Sequence, residues 1–292
     1  MRPQLLGLAL KNKMREASIN ALAGVEEDVH RITGRASGSF GVSVEALQSD
    51  FSFFYNEHML CPAASTIKIH ILLELFNQVR AGEHGLDDLV ELPSRKASEG
   101  AWSATASGVL KELESVRRIS LKDAATLMII VSDNIAANLL IDLLGMDRIQ
   151  ETIQELGLKN TKLTRKMMDL ESSRKGMENV STPHELMLTM KNIAGARFLD
   201  SQSSEMVLDL LSKTQDMFGL RRLIPADVRM EHKTGEFFSV CNDAGIVRVP
   251  GNPFIISIMS KDVNLVHGWD TVAELGRLFY DRLSASSREV DK

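Results

Sequence analysis

The chain contains little cysteine: Cys61 and Cys241 are the two examples among 292 residues. Two cysteines build no disulfide framework, and no spacing of cysteine and histidine indicates a zinc site. We therefore predict that both thiols are small buried hydrophobic side chains rather than a bridge. We expect the protein to use no metal and no other cofactor.

Long apolar runs are also missing. None approaches the roughly 18 residues that a membrane span needs, so we predict no transmembrane helix. The first residues, 1–11, have a short apolar core without a signal-peptide h-region or cleavage site. From this pattern we expect that the protein stays in the cytoplasm or that a leader has been replaced.

An excess of positive charge is absent as well. The chain has 34 lysines and arginines against 39 aspartates and glutamates, for a net charge of −5. Nucleic-acid-binding proteins favour a basic face, so we predict a small-molecule substrate and no nucleic-acid partner. The length allows one large domain or two lobes, and we expect a monomer.

One stretch, residues 61–76, organises the rest of the chain. After Pro62 it forms a helical run that is apolar on nearly every side, which is typical of a buried helix. Ser65 and Lys68 nevertheless lie at its start, about 4.5 Å apart along the axis at roughly 1.5 Å per residue. Burial lowers the pKa of a lysine until it can accept a proton, and a serine beside such an amine is an activated nucleophile.

The Ser-x-x-Lys spacing alone is not specific, because residues 172–175 repeat it. That second copy lies in a polar stretch, and we interpret it as a solvated loop. For Ser65 and Lys68 the alternative is a helix N-terminus with a lysine whose ammonium extends to water. The rest of the chain decides between the two.

Hydrophobic periodicity divides the remaining chain into helices and strands. Near the N-terminus we predict a helix over 4–33 ending near Gly34, then a hairpin of strands 40–47 and 51–55. In the middle we predict helices after Ser120, over 135–144 and 146–156, and from Pro183, with a polar loop at 160–180. In the last third we predict strands 228–240, 244–249 and 254–259, followed by a helix over 268–284.

This order predicts an α/β (α+β) fold with an antiparallel sheet flanked by helices. The simplest assembly joins residues 1–63 and 198–292 as a sheet lobe and inserts residues 64–197 as an all-helical lobe. A cleft between two lobes is a favoured place for a small-molecule site.

Two further motifs fall where such a cleft is expected. Ser132-Asp133-Asn134 separates two apolar helices, and Lys233-Thr234-Gly235 lies within a late strand. Taken singly, the first motif is equally typical of a helix cap, and the second is equally typical of a solvated strand segment. With Ser65 and Lys68, and in this order, they resemble the motifs of class A β-lactamases and penicillin-binding proteins. The hairpin before Ser65 is similar to the first strands of that family's sheet.

The resemblance implies a two-lobed β-lactamase/transpeptidase-like fold and a serine hydrolase acting through an acyl-enzyme. Ser65 would be the nucleophile, and Lys68 would take its proton, directly or through water. Ser132 would relay a proton to the leaving nitrogen. Asn134 would hold the amide side chain of the substrate.

The same resemblance gives roles to the late strand. Lys233 and Thr234 would hold the carboxylate of the substrate and keep the site electropositive. Gly235 would lie beside the substrate. The backbone N–H groups of Ser65 and Glu236 would form the oxyanion hole.

One part of the family pattern does not match. Arg165 is in place, but the position of the deacylating glutamate holds Met167, and no Glu-x-x-x-Asn pattern follows. Asp169, Glu171 or Glu178 could substitute, although none has the spacing. We favour the alternative in which Asp169 or Glu178 pairs with Arg165 to close the loop.

A second departure concerns charge. Ala244 stands where many class A enzymes place an arginine that binds the carboxylate of the substrate. Arg221, Arg222 or Arg248 could supply that charge, or could be surface charges only.

Three functions remain open at this point. A class A-like serine hydrolase is the leading interpretation. A D-Ala-D-Ala carboxypeptidase or esterase would use the same nucleophile, and a penicillin-binding sensor would be acylated without turnover. No G-x-S-x-G elbow is present to indicate an α/β-hydrolase.

Overall fold

The structure is a computed structural model that describes residues 24–94 and 99–290. Its helices are α1 (Val25–Thr33), α2 (Lys68–Arg80), α3 (Leu121–Ile130), α4 (Asn134–Leu144), α5 (Met146–Glu155), α6 (Leu170–Arg174), α7 (Pro183–Ala194), α8 (Ser201–Ser212), α9 (Leu220–Leu223) and α10 (Leu265–Val290). Its strands are β1 (Ser39–Ala46), β2 (Ser52–Tyr55), β3 (Cys61–Pro62), β4 (Leu89–Glu91), β5 (Arg118–Ser120), β6 (Val180–Ser181), β7 (Met230–Phe237), β8 (Val240–Val247) and β9 (Phe254–Lys261). Turns of 3₁₀ helix cover Ala64–Ile67, Glu99–Trp102 and Leu110–Glu112.

Five strands form one sheet in the order β2-β1-β9-β8-β7, and each neighbouring pair is antiparallel. Alternate residues of β9 enter different cores: Phe254 and Ile256 lie in one, Ile255 and Met259 in the other. Since successive side chains of a strand point to opposite faces, the sheet is buried on both sides. The predicted antiparallel sheet flanked by helices is confirmed.

The helices that cover the two faces have different roles. Helices α1 and α10 bury one face with side chains such as Val29, Val272 and Phe279. Helix α7 packs against β1, β8 and β9 on the other face, and its Met187 and Met190 join the core of the helical part. The second face therefore connects the sheet to the helices that follow β3. The division into lobes 1–63 with 198–292 and 64–197 stays a prediction.

Helix α2 lies in the middle of the helical part. It contacts α3, α4, α5 and α8, and its apolar side chains are buried all round the helix. This packing accounts for the apolar sequence after Ser65 and confirms the predicted buried helix. The Ser65 position differs slightly, because it lies in the 3₁₀ turn Ala64–Ile67 and α2 itself begins at Lys68.

The single strand predicted over 228–240 is wrong. Strands β7 and β8 pair through Phe237 and Val240, so Phe238 and Ser239 form a two-residue hairpin turn. Phe238 adopts a left-handed φ of 41° there. Such turns normally carry glycine or asparagine, and Phe238-Ser239 contains neither, so nothing in the local sequence indicates a reversal here.

The polar stretch 160–180 is not loop alone, because it contains α6 and β6. The second Ser-x-x-Lys copy therefore runs through a short helix instead of the predicted solvated loop. Helices α8 and α9 were not predicted either, although Asp200 is an N-cap of the expected residue type. Of the predicted helix 4–33, α1 is helical, and residues 4–23 lie outside the described part.

Cys61 and Cys241 are free and buried, as predicted, and burial raises the pKa of each thiol to about 12. Within the described ranges, no group of histidine, cysteine, aspartate or glutamate side chains is arranged to hold a metal ion. No helix in those ranges is long and apolar enough to cross a membrane.

A buried carboxylate joins α2 to α5. The side chain of Glu74 is 1% exposed, and its oxygens accept hydrogen bonds from Gln78 (2.6 Å) and Thr152 (2.5 Å). The guanidinium of Arg148 lies 3.5 Å away and also pairs with Glu83 at 3.1 Å. Glu74 is thus the buried member and Glu83 the exposed member of one network.

We expect Glu74→Ala to lower the free energy of unfolding by about 2–4 kcal/mol, because buried donors lose their acceptor. Glu83→Ala is the matched control: it removes an exposed partner of Arg148, and exposed pairs contribute at most about 1 kcal/mol. Urea unfolding of both variants measures the difference. Equal losses would contradict a structural role for the buried hydrogen bonds.

Candidate active site

A cleft of about 450 Å³ opens between the helical part and β7. It is lined by Ala64, Ser65, Thr105, Ser107, Val131, Ser132, Asn134, Arg165, Met167, Met168, Leu170, Glu178, Asn179, Asp216, Phe218, Thr234, Glu236, Phe237 and Phe238. Members of all three sequence motifs therefore meet in one cavity. The two lysines of these motifs, Lys68 and Lys233, are fully buried at the same site.

The turn that carries Ser65 is held from two directions. The hydroxyl of Thr66 donates to the Ala63 carbonyl at 2.6 Å, and the side-chain amide of Asn242 donates to the Pro62 carbonyl at 2.9 Å. Residues i and i+3 stand one above the other in a 3₁₀ turn, so Ser65 and Lys68 share a face. Ser65 and Lys68 therefore lie side by side as predicted, although the turn between them is 3₁₀ and not α-helical.

The ammonium of Lys68 reaches from α2 to the junction of α3 and α4. It donates to the Ser132 carbonyl (2.7 Å), to Ser132 Oγ (3.1 Å) and to Asn134 Oδ1 (2.8 Å). All three acceptors are neutral oxygens. Burial, followed by repulsion from Lys233, holds the pKa of Lys68 well below its ordinary value of 10.5. A buried lysine of this kind can serve as a base.

Asp133 fixes the junction that carries Ser132 and Asn134. One carboxylate oxygen caps α4 by accepting from the amides of Ile135 (2.9 Å) and Ala136 (3.0 Å). The other accepts from the amides of Val109 (2.7 Å) and Leu110 (2.8 Å) in the preceding loop. The cap is therefore real, as the sequence suggested, and it also braces the wall of the cleft.

Strand β7 approaches the Ser65 turn at Gly235. A Cβ atom at this position would lie 2.9 Å from the Ala63 carbonyl oxygen and 3.1 Å from the Ser65 amide nitrogen. Only glycine allows the strand to come this close. This close approach brings the backbone of Ser65 near Glu236, which follows Gly235 in β7 and lines the cavity. The Glu236 side chain itself accepts from Trp269 Nε1 at 2.6 Å.

Lys233 is buried beside the cavity instead of solvated. Its ammonium donates to the Thr234 carbonyl at 3.0 Å and lies 3.8 Å from a carboxylate oxygen of Asp216. Burial lowers the pKa of Lys233, and the charge of Asp216 opposes that shift. Asp216 also accepts a hydrogen bond from the Thr234 hydroxyl. Asp216 was not predicted as a site residue, because it lies in an irregular segment without a motif.

Strained backbone is concentrated around the cleft. Ala64, Ser132, Met168 and Phe238 all have left-handed φ angles between 41° and 61°, and all four line the cavity. Such conformations cost of order 1–3 kcal/mol each and cluster at functional sites.

The loop that would carry a deacylating glutamate is bound to α4 through Met167. The Met167 amide donates to Asn138 Oδ1 at 2.8 Å, and Asn138 Nδ2 donates back to the Met167 carbonyl at 3.1 Å. The thioether side chain is buried and lines the cavity. Asn138 is a second residue that the sequence analysis did not single out for function.

The acidic residues of this loop are already occupied. Arg165 pairs with Glu178 at 2.5 Å, as predicted for one of the two candidates. Asp169 caps α6 through Ser172, and hydrogen bonds from Ser172 lower its pKa. Glu171 pairs with Lys175 on the exposed side. Of the three, Glu178 alone lines the cavity.

The arginines that were candidates for carboxylate binding point elsewhere. Arg221 donates to the backbone carbonyls of Ile224 (2.9 Å) and Val228 (2.8 Å). Arg222 pairs with Asp270, and Arg248 pairs with Glu231. None of the three lines the cavity.

Comparisons with known proteins agree with this geometry. A family model described as the β-lactamase enzyme family matches residues 24–283. The chain is 32% identical to β-lactamase 1 of Streptomyces cacaoi over 250 residues, covering 81% of this chain and 74% of that protein. It is 25% identical to β-lactamase CARB-4 of Pseudomonas aeruginosa over 272 residues, covering 90% and 92%.

Solved structures give the same result. A β-lactamase from Sphaerobacter thermophilus superposes with a TM-score of 0.80 and 29% identity, covering 90% of this chain and 97% of that one. The protein PBP-A superposes with a TM-score of 0.80 and 26% identity, covering 89% and 96%. A mutant of PBP-A is described as an acyl-enzyme complex with penicillin G. The predicted fold is therefore confirmed.

The pKa of Lys68 gives a direct test of the site's electrostatics. We expect Lys233→Met to raise it, because a like charge is removed, and Asp216→Asn to lower it, because an opposite charge is removed. Titration of ¹³Cε-labelled lysine by NMR measures both shifts, with Lys122→Met as the exposed control. Shifts of the opposite sign would contradict the arrangement described here.

Proposed function

Because this chain belongs to the β-lactamase enzyme family and is a class A β-lactamase-like serine hydrolase, we propose that it opens β-lactam or related amide and ester bonds through an acyl-enzyme on Ser65. One observation carries the proposal. The buried amino group of Lys68 follows Ser65 by one 3₁₀ turn and binds only neutral oxygens, including the hydroxyl of Ser132. Neutral Lys68 is then a base beside a nucleophile.

In the first step the Ser65 oxygen bonds to the carbonyl carbon of the substrate. Its proton passes to Lys68, directly or through a water molecule. The carbonyl oxygen becomes an oxyanion, which the backbone N–H groups of Ser65 and Glu236 stabilise. The close approach of Gly235 to the Ser65 amide supports this pairing of donors.

In the second step the carbon–nitrogen bond breaks. The leaving nitrogen takes a proton from the Ser132 hydroxyl, and Ser132 takes one from the Lys68 ammonium. The 3.1 Å contact between Lys68 Nζ and Ser132 Oγ supports this relay. Lys68 returns to its neutral form, and the acyl group remains on Ser65.

The other motif residues bind the substrate. Lys68 occupies the side-chain oxygen of Asn134, so the Asn134 amide nitrogen is the group left for the amide side chain of a substrate. Thr234 and Gly235 border the leaving-group side, and Lys233 adds positive charge.

We expect a penicillin to form a covalent adduct on Ser65, and Ser65→Ala to abolish it. Lys68→Ala should slow acylation by about 10²–10⁴-fold, the usual contribution of a general base. Peptide mapping by mass spectrometry locates the adduct, and Lys122→Ala serves as an exposed lysine control. An adduct on another residue, or one that persists in Ser65→Ala, would overturn the assignment.

The second half-reaction lacks its usual base. A thioether cannot take a proton from water, so Met167 cannot activate the water that frees the acyl group. Glu178 faces the cavity but is held by Arg165 and by the Ser173 hydroxyl at 3.0 Å. These contacts favour slow deacylation. They also favour the second candidate, a penicillin-binding protein with little turnover; among the structural relatives, a mutant of PBP-A is described as an acyl-enzyme complex with penicillin G.

We therefore expect a burst of product followed by a steady state whose rate is about 10²–10⁴-fold lower than the rate of the burst. Stopped-flow hydrolysis of a chromogenic cephalosporin, with enzyme near the substrate concentration, measures both phases. Met167→Glu should speed the slow phase, whereas Met167→Gln, of similar shape but unable to accept the proton, should not. Fast linear turnover without a burst or a trapped adduct would refute slow deacylation.

A further inference from the structure

A carboxylate of the chain lies where the family resemblance places a carboxylate of the substrate. Asp216 accepts a hydrogen bond from the Thr234 hydroxyl, and its Oδ2 atom lies 3.8 Å from the Lys233 ammonium. Its side chain is 20% exposed and lines the cleft. Asp216 therefore occupies the Thr234 hydroxyl and forms an ion pair with Lys233, the two groups that would receive an anionic group from the substrate.

The other acidic neighbour of Lys233 does not compete for this position. Asp243 binds the His232 ring at 3.0 Å and the Leu220 amide at 3.0 Å, and it is fully buried. Of the two acidic neighbours of Lys233, Asp216 is the one that lines the cavity. The positive charge of Lys233 is thus offset within the cleft itself.

No second cation restores an anion site in the described part of the cleft. Ala244 replaces the arginine of the family pattern, and Arg221, Arg222 and Arg248 are engaged away from the cavity. Arg165 does line the cavity, but Glu178 neutralises it at 2.5 Å. An anion entering beside Thr234 would meet Asp216 without a free positive partner.

We propose that Asp216 is a specificity-determining residue that selects acyl donors carrying a neutral or cationic group, instead of a carboxylate, beside Lys233 and Thr234. Discrimination of this kind works by placing an unpaired like charge against the unwanted ligand. The aromatic side chains of Phe218, Phe237 and Phe238 at the same cleft suit an uncharged group. This inference rests on the proposal that the cleft binds acyl donors at Ser65.

The test compares benzylpenicillin with its methyl ester, in which one added methyl group removes the charge of the carboxyl group. Isothermal titration on the Ser65→Ala background measures their non-covalent dissociation constants, so that acylation is not needed. Four proteins are compared: Ser65→Ala alone, and Ser65→Ala combined with Asp216→Asn, Asp216→Ala or Asp209→Asn. Asp209 is an exposed carboxylate paired with Lys213, and it is the matched control.

With Asp216 present, we expect the ester to bind at least as tightly as the acid. Asp216→Asn and Asp216→Ala should each tighten binding of the acid by about tenfold or more, and change binding of the ester by no more than about twofold. Asp209→Asn should leave the ratio unchanged. A purely structural role for Asp216 would change both ligands together and leave their ratio constant.

Two results would overturn the inference. One is that the acid binds much more tightly than the ester in the presence of Asp216. The other is that neither Asp216 variant changes the ratio of the acid and ester dissociation constants. Failure of Ser65 to form an adduct in the protein with Ser65 intact overturns the proposed nucleophile instead, and the binding ratio still reports on Asp216. Absence of binding by both ligands in every protein would overturn both proposals.

Discussion

The site depends on the hydrogen bonds of the buried Lys68 amino group. A polar group removed from water needs close hydrogen-bond partners, and the chain provides them from the carbonyl and hydroxyl of Ser132 and the side chain of Asn134. These contacts join α2 to the junction of α3 and α4. Asp133 then holds that junction to the preceding loop. The same hydrogen bonds therefore position Ser132 for the proposed proton relay and connect the helices of the helical part.

The sheet supplies the opposite wall of the cleft. Strand β7 approaches the Ser65 turn because Gly235 has no side chain, and this brings Lys233 into a buried position near Lys68. The charge of Lys233 lowers the pKa of Lys68, and the carboxylates of Asp133 and Asp216 oppose that shift. Of these two carboxylates, Asp216 is the one that lines the cavity. In this account Asp216 both offsets positive charge at the site and restricts what the site can bind.

Much of this arrangement was predictable because local patterns have local causes. The Lys68 spacing and the helix starts after Ser120 and at Pro183 follow from local sequence signals, and the hairpin of β1 and β2 follows from alternation. Other features depend on tertiary contacts. The reversal at Phe238 has no turn residue to announce it, and Asp216 belongs to an irregular segment whose position is set by packing against β7. The chain reversal and the position of Asp216 were therefore visible only in the structure.

The most direct test of the central claim is a crystal structure determined after exposure to benzylpenicillin. The account predicts continuous density from Ser65 Oγ to an opened ring. The acyl carbonyl oxygen should lie about 3 Å from the amide nitrogens of both Ser65 and Glu236. An intact ring in the cleft, attachment at a different residue, or a carbonyl oxygen directed away from both amides would contradict the account.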